Sequence, residues 1–515
     1  MADLQLPTRL IDVGPMDGSR QPKLALGKQY RRSGYSYIAL SHCWGPTPVG
    51  APWKTTTATI QSFLDGITMD RLPRTFREAI SFTRRHGVRF IWIDSLCIIQ
   101  DSYSDWTQEA AAMGRIYSGA LFTLISASGH SDGGCVVARN PLEVTPADLV
   151  LSPLSEGSSM EVKIFPYLPT RKMLTSSAPT TMRAWCQQER EFSVRTVQFT
   201  THQILWTCKT ITSSESQVLE ATEPGSKPSE VDTPRPSSYS LGDVINPWRN
   251  SNLLPKLPSH HPRKVYYRYW YYLVETFSRS QITVSTDRLP ALSSLAQRQV
   301  THMHVDDIYL AGLWRNDILC GLLWARSSDA NVINAARRPS VYISPSWSWA
   351  CLNAGVDFQM NPFVTAEVNQ FTTVGPWSHF SSNSYVPKVL DAKVELKGLD
   401  LFGQVSSGYI KLRGYLQVGR CFNRGQGLNR LRRDLLDPIS FREVGQAFFD
   451  TLQDLAYNAT VICLLIFLWP RAELGGGLAL SQLPGQPDIY TRVGYVEIFD
   501  PVWINTFTDS IFIIQ

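Results

Sequence analysis

The chain has 515 residues, of which 43% are hydrophobic and 18% are charged, as in folded globular proteins and unlike disordered chains. This length exceeds what one compact core usually holds, so we expect two or more domains. The formal net charge of +5 is small and no basic stripe interleaves with aromatic residues, which argues against a nucleic-acid partner.

The cysteines and the apolar segments indicate the compartment. The nine cysteines are scattered, odd in number and without a Cys-x-x-Cys pair, so neither a disulfide framework nor a metal site is expected. The longest apolar run, residues 459–470, is too short to span a bilayer and predicts a buried strand. The first residues lack the apolar segment of a signal peptide. We therefore expect a cytoplasmic protein without a membrane span.

Two strands and a helix are predicted near the start of the sequence. Residues 35–41, YSYIALS, predict a strand. Residues 75–87 follow a proline and carry apolar side chains at helical spacing, which predicts a helix that ends at a glycine. Thr75 and Glu78 have the capping-box spacing, in which each side chain caps the backbone N–H of the other. Residues 88–94 form a continuous apolar run, typical of a strand covered on both faces.

A second helix and a third strand complete the pattern. Asp105 and Gln108 have the spacing of an N-cap and the N3 residue, which predicts a helix of about three turns as far as Tyr117. Residues 120–126 predict the next strand. Strands and helices that alternate with short connections predict an α/β fold with a parallel, right-handed, doubly wound sheet.

The pattern changes beyond residue 130, where segments become shorter and richer in β-forming residues. We expect a Tyr- and Trp-rich helix over 265–278, a solvated helix face over 430–436, and an α+β region with many short strands. The predicted domains are an N-terminal extension, an α/β domain, a Pro/Ser-rich loop and a C-terminal α+β region packed on the α/β domain. Their bounds are 1–34, 35–215, 216–262 and 263–515.

Polar side chains lie where two of the predicted strands end. Residues 40–45 read LSHCWG, and Asp94 ends the second strand. Ligands of open α/β sheets bind at the carboxyl ends of the strands, so one interpretation is a pocket. The alternative is a strand terminus with a buried tryptophan and a turn glycine. Glu109, in the first turns of the following helix, either lines that pocket or stabilises the helix dipole.

Three blocks of the sequence carry a family resemblance. They are YIALSHCWG at 37–45, IWIDSLCIIQDSYSDWTQEAAAMGRIYSGALFTLISAS at 91–128 and RAWCQQEREFSVRTVQF at 183–199. In order and spacing they resemble the defining blocks of the fungal heterokaryon incompatibility (HET) domain family over residues 35–210. The third block differs from the commoner Trp-Thr-Leu-Gln-Glu form, because Cys186 and Gln187 stand at its second and third positions.

The resemblance implies self/non-self recognition between fungal hyphae (vegetative incompatibility), with programmed cell death after unlike strains fuse. It also implies a fold similar to the flavodoxin-like sheet of TIR domains, some of which cleave NAD at the nicotinamide–ribose bond through a glutamate. The segment DWTQE places Trp106 and Glu109 in a similar setting, where Glu109 would face an oxocarbenium-like charge. On this analogy Glu109→Gln should abolish function and leave the fold intact.

The resemblance also suggests roles for the other polar residues of the three blocks. The catalytic set would be Glu109, His42 and Asp94, with His42 as acid, base or hydrogen-bond donor. The substrate-binding residues would be Ser41, Cys43, Trp44, Trp106, Arg183 and Glu189.

Trp44 can stack on a base or a nicotinamide ring, and Arg183 can pair with a phosphate or a carboxylate. The alternatives are core packing for Trp44 and a buried ion pair between Arg183 and Glu189. We expect Ser41, Asp94 and Glu109 to open on one cleft, and Arg183 and Glu189 to tie the third block to it.

Three functions remain open on the sequence alone. The first is an incompatibility and cell-death protein, which assembles with a second copy or another incompatibility protein or cleaves NAD as substrate, without a required cofactor. The second is a small-molecule enzyme of a fungal secondary-metabolite pathway built on a HET-type scaffold, because the aromatic-rich second half suits an apolar pocket. The third is a non-catalytic interaction module.

Overall fold

The computed structural model divides the chain into two compact units, Met1–Ser238 and Tyr239–Gln515. The structure describes residues 6–30, 34–45, 53–140, 145, 147–151, 160–164, 169, 171–176, 178–208, 211–215, 262–303, 307–327, 336–358, 386–422, 431–457, 459–469 and 474–515. Apart from Pro262, the predicted Pro/Ser-rich loop over 216–262 lies outside these residues.

The first unit alternates strands and helices. Its strands are β1 (Arg9–Asp12), β2 (Lys23–Leu26), β3 (Tyr37–Cys43), β4 (Phe90–Trp92), β5 (Thr123–His130), β6 (Ala147–Leu151), β7 (Met160–Ile164), β8 (Arg195–Phe199), β9 (Ile204–Cys208) and β10 (Thr212–Ser214). Its helices are α1 (Ile60–Asp65), α2 (Arg74–Arg85), α3 (Asp94–Cys97), α4 (Tyr103–Gly119), α5 (Arg171–Ser176), α6 (Pro179–Met182) and α7 (Ala184–Phe192).

Eight of these strands form one mixed sheet in the order β10-β9-β8-β5-β3-β4-β1-β2. The pairs β8–β5, β5–β3 and β3–β4 are parallel, and the outer pairs are antiparallel. The α/β prediction is confirmed, with parallel pairing in the centre of the sheet. Numbered from first to last along the chain, the four parallel strands β3, β4, β5 and β8 lie side by side in the order 2-1-3-4, as in the doubly wound flavodoxin-like arrangement. Residues before position 35 supply β1 and β2 at one edge.

Helices cover both faces of this sheet because their apolar side chains recur at helical spacing. On one face α2 buries Phe76, Ala79, Ile80 and Thr83. On the other face the phenol of Tyr117 in α4 donates a hydrogen bond to the Leu40 carbonyl oxygen at 3.2 Å. All seven residues of β3 are therefore buried.

Both predicted helix caps were wrong. Helix α2 begins at Arg74, inside the predicted capping box, and Thr75 and Glu78 bind another segment. The Thr75 hydroxyl accepts from the N–H of Gly134, and the Glu78 carboxylate accepts from the N–H of Cys135 at 2.7 Å. Helix α4 begins two residues before Asp105, with Ser102 as its N-cap.

The second unit is built on a mainly antiparallel sheet, in which only β21 and β22 pair in parallel among the described strands, in agreement with the α+β prediction. Its helices are α8 (Pro262–Ser278), α9 (Pro290–Met303), α10 (Ile318–Gly321), α11 (Leu452–Tyr457) and α12 (Pro501–Ile504). Its strands are β11 (Tyr309–Leu310), β12 (Leu313–Trp314), β13 (Ala325–Arg326), β14 (Val356–Asp357), β15 (Lys388–Leu396), β16 (Val405–Phe422), β17 (Arg432–Leu436), β18 (Glu443–Phe449), β19 (Thr460–Trp469), β20 (Leu474–Gln482), β21 (Ile489–Ile498) and β22 (Thr508–Ile514).

Strands β15 to β22 form the large sheet of this unit, in which the 18-residue β16 pairs with β15, β17, β19 and β22. The predicted strand over 459–470 is confirmed as β19, and the predicted aromatic-rich helix as α8. The helix expected over 430–436 is wrong, because β17 pairs with β18 and buries Leu435 in the core. Among the described helices, none combines the length and the apolar character that crossing a membrane would need.

Candidate functional site

The candidate site is built at the carboxyl end of β3. The predicted strand ended at residue 41, but β3 continues through His42 to Cys43 and pairs with β5 across a bulge. Successive side chains of a strand point to opposite faces. The His42 ring packs edge-on against Phe76 of α2 at 4.9 Å between centroids, whereas Ser41 and Cys43 face α7.

His42 is a buried, neutral histidine. It is 3% exposed, and burial lowers its pKa to about 4, although the nearby Asp94 carboxylate favours the charged ring. Its Nδ1 lies 3.9 Å from Asp94 Oδ1. Within the described residues its Nε2 has no hydrogen-bond partner. The Nε2 atom is thus available as a hydrogen-bond acceptor in one tautomer of the neutral ring and as a donor in the other.

Asp94 links the ends of β3 and β4. It begins the short helix α3 directly after β4, and its Oδ1 accepts from the N–H of Ser95 at 2.6 Å. Its Oδ2 accepts from the indole N–H of Trp44 at 2.7 Å, which fixes the half-buried Trp44 ring. The Lys54 ammonium lies 4.4 Å from the centre of that ring. A carboxylate, an aromatic ring and a cation therefore lie together at the carboxyl ends of β3 and β4.

Arg183 brings the third sequence block to the same place. Its Nη1 donates to the His42 carbonyl oxygen at 3.0 Å, and its guanidinium carbon lies 6.0 Å from the centre of the Trp44 ring. Burial lowers the pKa of Arg183, but electrostatic interactions with Cys186, Asp94 and other neighbours outweigh burial and raise it overall. The third block is therefore tied to the end of β3, as predicted.

Glu189 lies deeper, on the α7 side of β3. It is 5% exposed, and burial raises the pKa of its carboxyl well above the usual value, with Cys186 adding to the rise. The Ser41 hydroxyl, which is close enough to favour the carboxylate, opposes this shift. The neighbouring Tyr117 phenol is fully enclosed. A neutral carboxyl is thus favoured at this position.

Cys43 and Cys186 lie between these groups. Interaction with the Cys186 side chain is the largest influence that lowers the pKa of Cys43. Burial opposes the shift, and the Arg183 guanidinium reinforces it. Cys186 is fully buried, and its pKa is raised well above the usual value.

Glu109 belongs to a different group of charges. It is 1% exposed, its Oε1 lies 3.8 Å from Arg9 Nη2, and burial raises its pKa. Neither carboxyl oxygen has a hydrogen-bond partner of normal geometry among the described residues, although the Thr8 side chain lies close enough to favour the carboxylate. Arg9 itself is held by Asp105 Oδ1 at 2.6 Å and by the Cys97 carbonyl oxygen at 2.6 Å.

Trp106 also lies on α4, beside the third block. Its ring stacks with Tyr103 and meets the Trp185 ring edge-on at 6.2 Å. Trp106 thus packs against rings of α4 and α7, away from the Trp44 ring.

The structure thus brings most of the predicted residues into what we call the Arg183 group: Ser41, His42, Cys43, Trp44, Asp94, Arg183, Cys186 and Glu189. The Arg9 group contains Thr8, Arg9, Asp105 and Glu109. The expected single cleft for Ser41, Asp94 and Glu109 is not observed, because helices cover Ser41 and Glu109 and leave each 1% exposed.

The sequence interpretation missed Cys186 as a member of the Arg183 group and Lys54 as the cation over the Trp44 ring. The departure of Cys186 from the common motif was an available signal, whereas nothing in the sequence singled out Lys54. Among the described residues, no group of three or more His, Cys, Asp or Glu side chains is arranged to hold a metal ion.

The comparison with protein families agrees with this geometry. Residues 37–189 match the family described as heterokaryon incompatibility protein (HET). The first unit contains a HET domain. The match starts in β3 and ends at Glu189, so the HET domain includes every residue of the Arg183 group. Neither the curated proteins nor the solved structures provide a match for the chain.

Proposed function

We propose that the protein acts in fungal vegetative incompatibility and programmed cell death, through a ligand site formed by the Arg183 group. The observation that carries the proposal is that the HET match contains the whole of this group. Buried ionisable groups with shifted pKa values are common at functional sites, and His42, Glu189 and Cys186 all show such shifts. A second copy of the chain or another incompatibility protein is the proposed partner.

NAD is the ligand that we propose for this site. Its pyrophosphate would pair with the cations of Arg183 and Lys54, and one of its rings would stack on Trp44. The free Nε2 of His42 would hydrogen-bond a ribose hydroxyl or the carboxamide. Cleavage of the nicotinamide–ribose bond would then place positive charge near a carboxylate of the domain.

Two carboxylates compete for that last role. The TIR analogy points to Glu109, whereas the geometry favours Asp94, whose side chain is 18% exposed compared with 1% for Glu109. Asp94 also shares its neighbours with His42 and Trp44. We therefore propose Asp94 as the carboxylate that meets the substrate and keep Glu109 as the competing assignment.

The proposal is tested with the full chain in two assays. Purified protein is incubated with NAD, and nicotinamide and ADP-ribose are separated by chromatography. In parallel, the chain is expressed in fungal cells and death is scored by dye uptake. Arg183→Gln should lower both activities, and Arg115→Gln, an exposed change of the same kind on α4, should not. If the cells die without loss of NAD, and the Arg183→Gln variant kills them equally well, the non-catalytic interaction module would be favoured instead.

A second candidate function is a biosynthetic small-molecule enzyme. It is favoured by a cavity of about 500 Å³ in the second unit, a volume typical of small-molecule sites. Arg338, Tyr342, Ser346 and Tyr409 are among its lining residues, so it offers aromatic surface beside a cation. Turnover of an apolar metabolite that Tyr409→Ala abolishes, with no cell death in the fungal assay, would support this function over the first.

A further inference from the structure

The HET domain carries a two-stranded ribbon in addition to its eight-stranded sheet. Strands β6 (Ala147–Leu151) and β7 (Met160–Ile164) pair with each other in antiparallel register. Among the described strands, neither pairs with any other. A two-stranded ribbon is marginally stable by itself in water, and the edges of such a ribbon present unpaired backbone N–H and C=O groups. The β6–β7 ribbon is therefore suited to pairing with a further strand.

The two faces of the β6–β7 ribbon differ in character. Successive side chains of a strand alternate between the faces, and directly opposed residues share a face. The described side chains of one face are all apolar: Ala147, Leu149, Met160, Val162 and Ile164. Those of the other face include three charged groups: Asp148, Val150, Glu161 and Lys163. Leu149, Met160 and Ile164 are exposed, and an apolar strip exposed across two strands is typical of an interaction surface.

Strand β7 has a charge pattern that is complementary to itself. It reads MEVKI, so Glu161 and Lys163 flank Val162 on the polar face. If two copies of β7 pair antiparallel with Val162 opposite Val162, Glu161 of each copy lies opposite Lys163 of the other. Opposite charges directly across a strand pair stabilise the pair, and like charges destabilise it. Centring the pair on Glu161 or on Lys163 would place like charges opposite each other.

Strand β6 does not have this complementarity. Centred on Leu149, self-pairing of β6 would place Asp148 opposite Val150 and form no ion pair. Pairing of β6 in one copy with β7 in the next would leave a free strand edge after every addition, and such head-to-tail contacts give open assemblies. Pairing of β7 with itself closes after two copies and gives a four-stranded sheet.

We propose that two copies of the chain form a closed dimer by antiparallel pairing of their β7 strands about a two-fold axis at Val162. Met160 of each copy then lies beside Ile164 of the other and covers part of the exposed apolar face. The Lys163 ammonium, which lies 3.6 Å from Asp148 in its own ribbon, gains Glu161 of the other copy on its other side. The role of this dimer in cell death rests on the proposed function, whereas its formation is measured on purified protein without NAD.

Sedimentation of the purified full chain over a range of concentrations measures the assembly. The expected result is a reversible equilibrium between monomer and dimer, without larger species. Glu161→Lys should raise the dissociation constant about tenfold or more, because it places lysines opposite each other at two positions of the interface. Within its own ribbon position 161 lies opposite Val150, so the change creates no repulsion there. Asp65→Lys, an exposed change of the same kind at the end of α1, should leave the constant unchanged.

Three sedimentation results would overturn the proposal. They are a wild-type chain that stays monomeric at every concentration, open-ended larger species, and a dimer whose dissociation constant Glu161→Lys leaves unchanged. The first result would leave the β6–β7 ribbon to a different partner protein.

A pair of variants with complementary charges tests the register. Asp148→Lys combined with Lys163→Glu keeps an ion pair inside the ribbon and makes both charges of β7 negative. Glu161→Lys makes both charges of β7 positive. Each variant should dimerise poorly alone, and an equal mixture of the two should form a heterodimer about as tight as the wild-type dimer. A mixture that stays monomeric would contradict the register centred on Val162.

A cross-link at the two-fold axis gives independent evidence. Directly opposed residues of an antiparallel pair have Cα atoms about 4.5–5.5 Å apart, a separation that a disulfide can bridge. Val162→Cys should therefore form a covalent dimer on oxidation, seen on a non-reducing gel and reversed by dithiothreitol. Val150→Cys, on the exposed part of β6, and the wild-type chain should not. Equal cross-linking of all three proteins, or of none, would contradict the two-fold axis.

Failure of this dimer and failure of the proposed function are distinguishable. If the purified chain dimerises through β7 but Glu161→Lys kills fungal cells as efficiently as wild type, the dimer stands and only its role in cell death is wrong. If NAD cleavage and cell death are both absent, sedimentation and the Val162→Cys cross-link still decide whether the dimer forms.

Discussion

The Arg9 group and the Arg183 group are two sets of buried charges in the same domain, and they use an arginine in different ways. Arg9 has a backbone carbonyl and a bidentate carboxylate as partners, from Cys97 and Asp105. The Nε and Nη2 groups of Arg9 are thus already bound within the domain, in charge-assisted hydrogen bonds that hold β1 to α3 and α4. Arg183 instead holds one carbonyl oxygen and lies beside a half-buried ring, two thiols and the partly exposed Asp94.

The comparison shows that burial of a carboxylate alone does not mark a site. Glu109 and Glu189 are both almost fully buried with raised pKa values. Of the two groups, only the Arg183 group combines its buried carboxyl, Glu189, with the partly exposed Asp94 and with an aromatic ring, Trp44, that Asp94 holds in place.

The sharpest contrast is between the two carboxylates. Asp94→Asn should lower NAD cleavage about 10²- to 10³-fold, because it removes the negative charge that would face the developing cation. Glu109→Gln should change the rate only a few-fold, since that side chain is enclosed beside Arg9. Both rates are measured with the purified full chain at saturating NAD. The reverse result would assign the role to Glu109, as the TIR analogy suggests.

Loss of the buried Arg9 side chain should lower the free energy of unfolding more than loss of an exposed arginine. Arg9→Gln removes the cation that binds Asp105 and the Cys97 carbonyl oxygen and leaves the Asp105 carboxylate with only the backbone N–H of Ile99, so it should cost about 3 kcal/mol in the free energy of unfolding. Urea denaturation followed by tryptophan fluorescence measures the loss. Arg20→Gln is the control, because the 45% exposed Arg20 side chain pairs with Asp12 and should cost less than about 1 kcal/mol. Equal losses would contradict a structural Arg9 group.

His42 should make the domain sensitive to acid. Its folded-state pKa of about 4 lies below the ordinary value of 6.5, so the unfolded state binds a proton first as pH falls. Its contribution to stability is complete above pH 6.5 and is lost by about pH 4, a change of about 3 kcal/mol at 1.36 kcal/mol per pH unit.

The difference in unfolding free energy between wild type and His42→Gln isolates this effect. The comparison is needed because the raised pKa of Glu189 acts in the opposite direction above pH 4.5. A difference that stays constant between pH 4 and 7 would contradict a buried neutral His42, and titration of the ring by NMR gives an independent value.

Trp44→Phe should have the smallest effect. The change keeps an aromatic face but removes the hydrogen bond to Asp94, at a cost of about 1 kcal/mol. If Trp44 binds a ring of NAD, the KM should also rise a few-fold. Trp106→Phe is the matched control, because Trp106 contacts Tyr103 and Trp185 instead, and its KM should not change. Equal KM values for both variants would place Trp44 with the structural residues.

The sequence by itself determined the parallel centre of the first sheet, because apolar runs and helical spacing follow from burial of the chain on two faces. The three blocks likewise indicated the HET domain, whose match contains the whole Arg183 group. The sequence did not predict which strands lie at the β1–β2 edge of this sheet, because β1 joins the sheet by pairing with β4, and β2 joins it by pairing with β1.

Only the tertiary structure decided which polar groups became partners. Thr75 and Asp105 have the chemistry of helix caps, but the segment that contains Gly134 and the side chain of Arg9 bind them instead. Arg183 binds the His42 carbonyl oxygen for the same reason, since the start of α7 packs against the end of β3. A polar side chain can satisfy its hydrogen bonds in many ways, and the choice among them depends on which segments the core brings together.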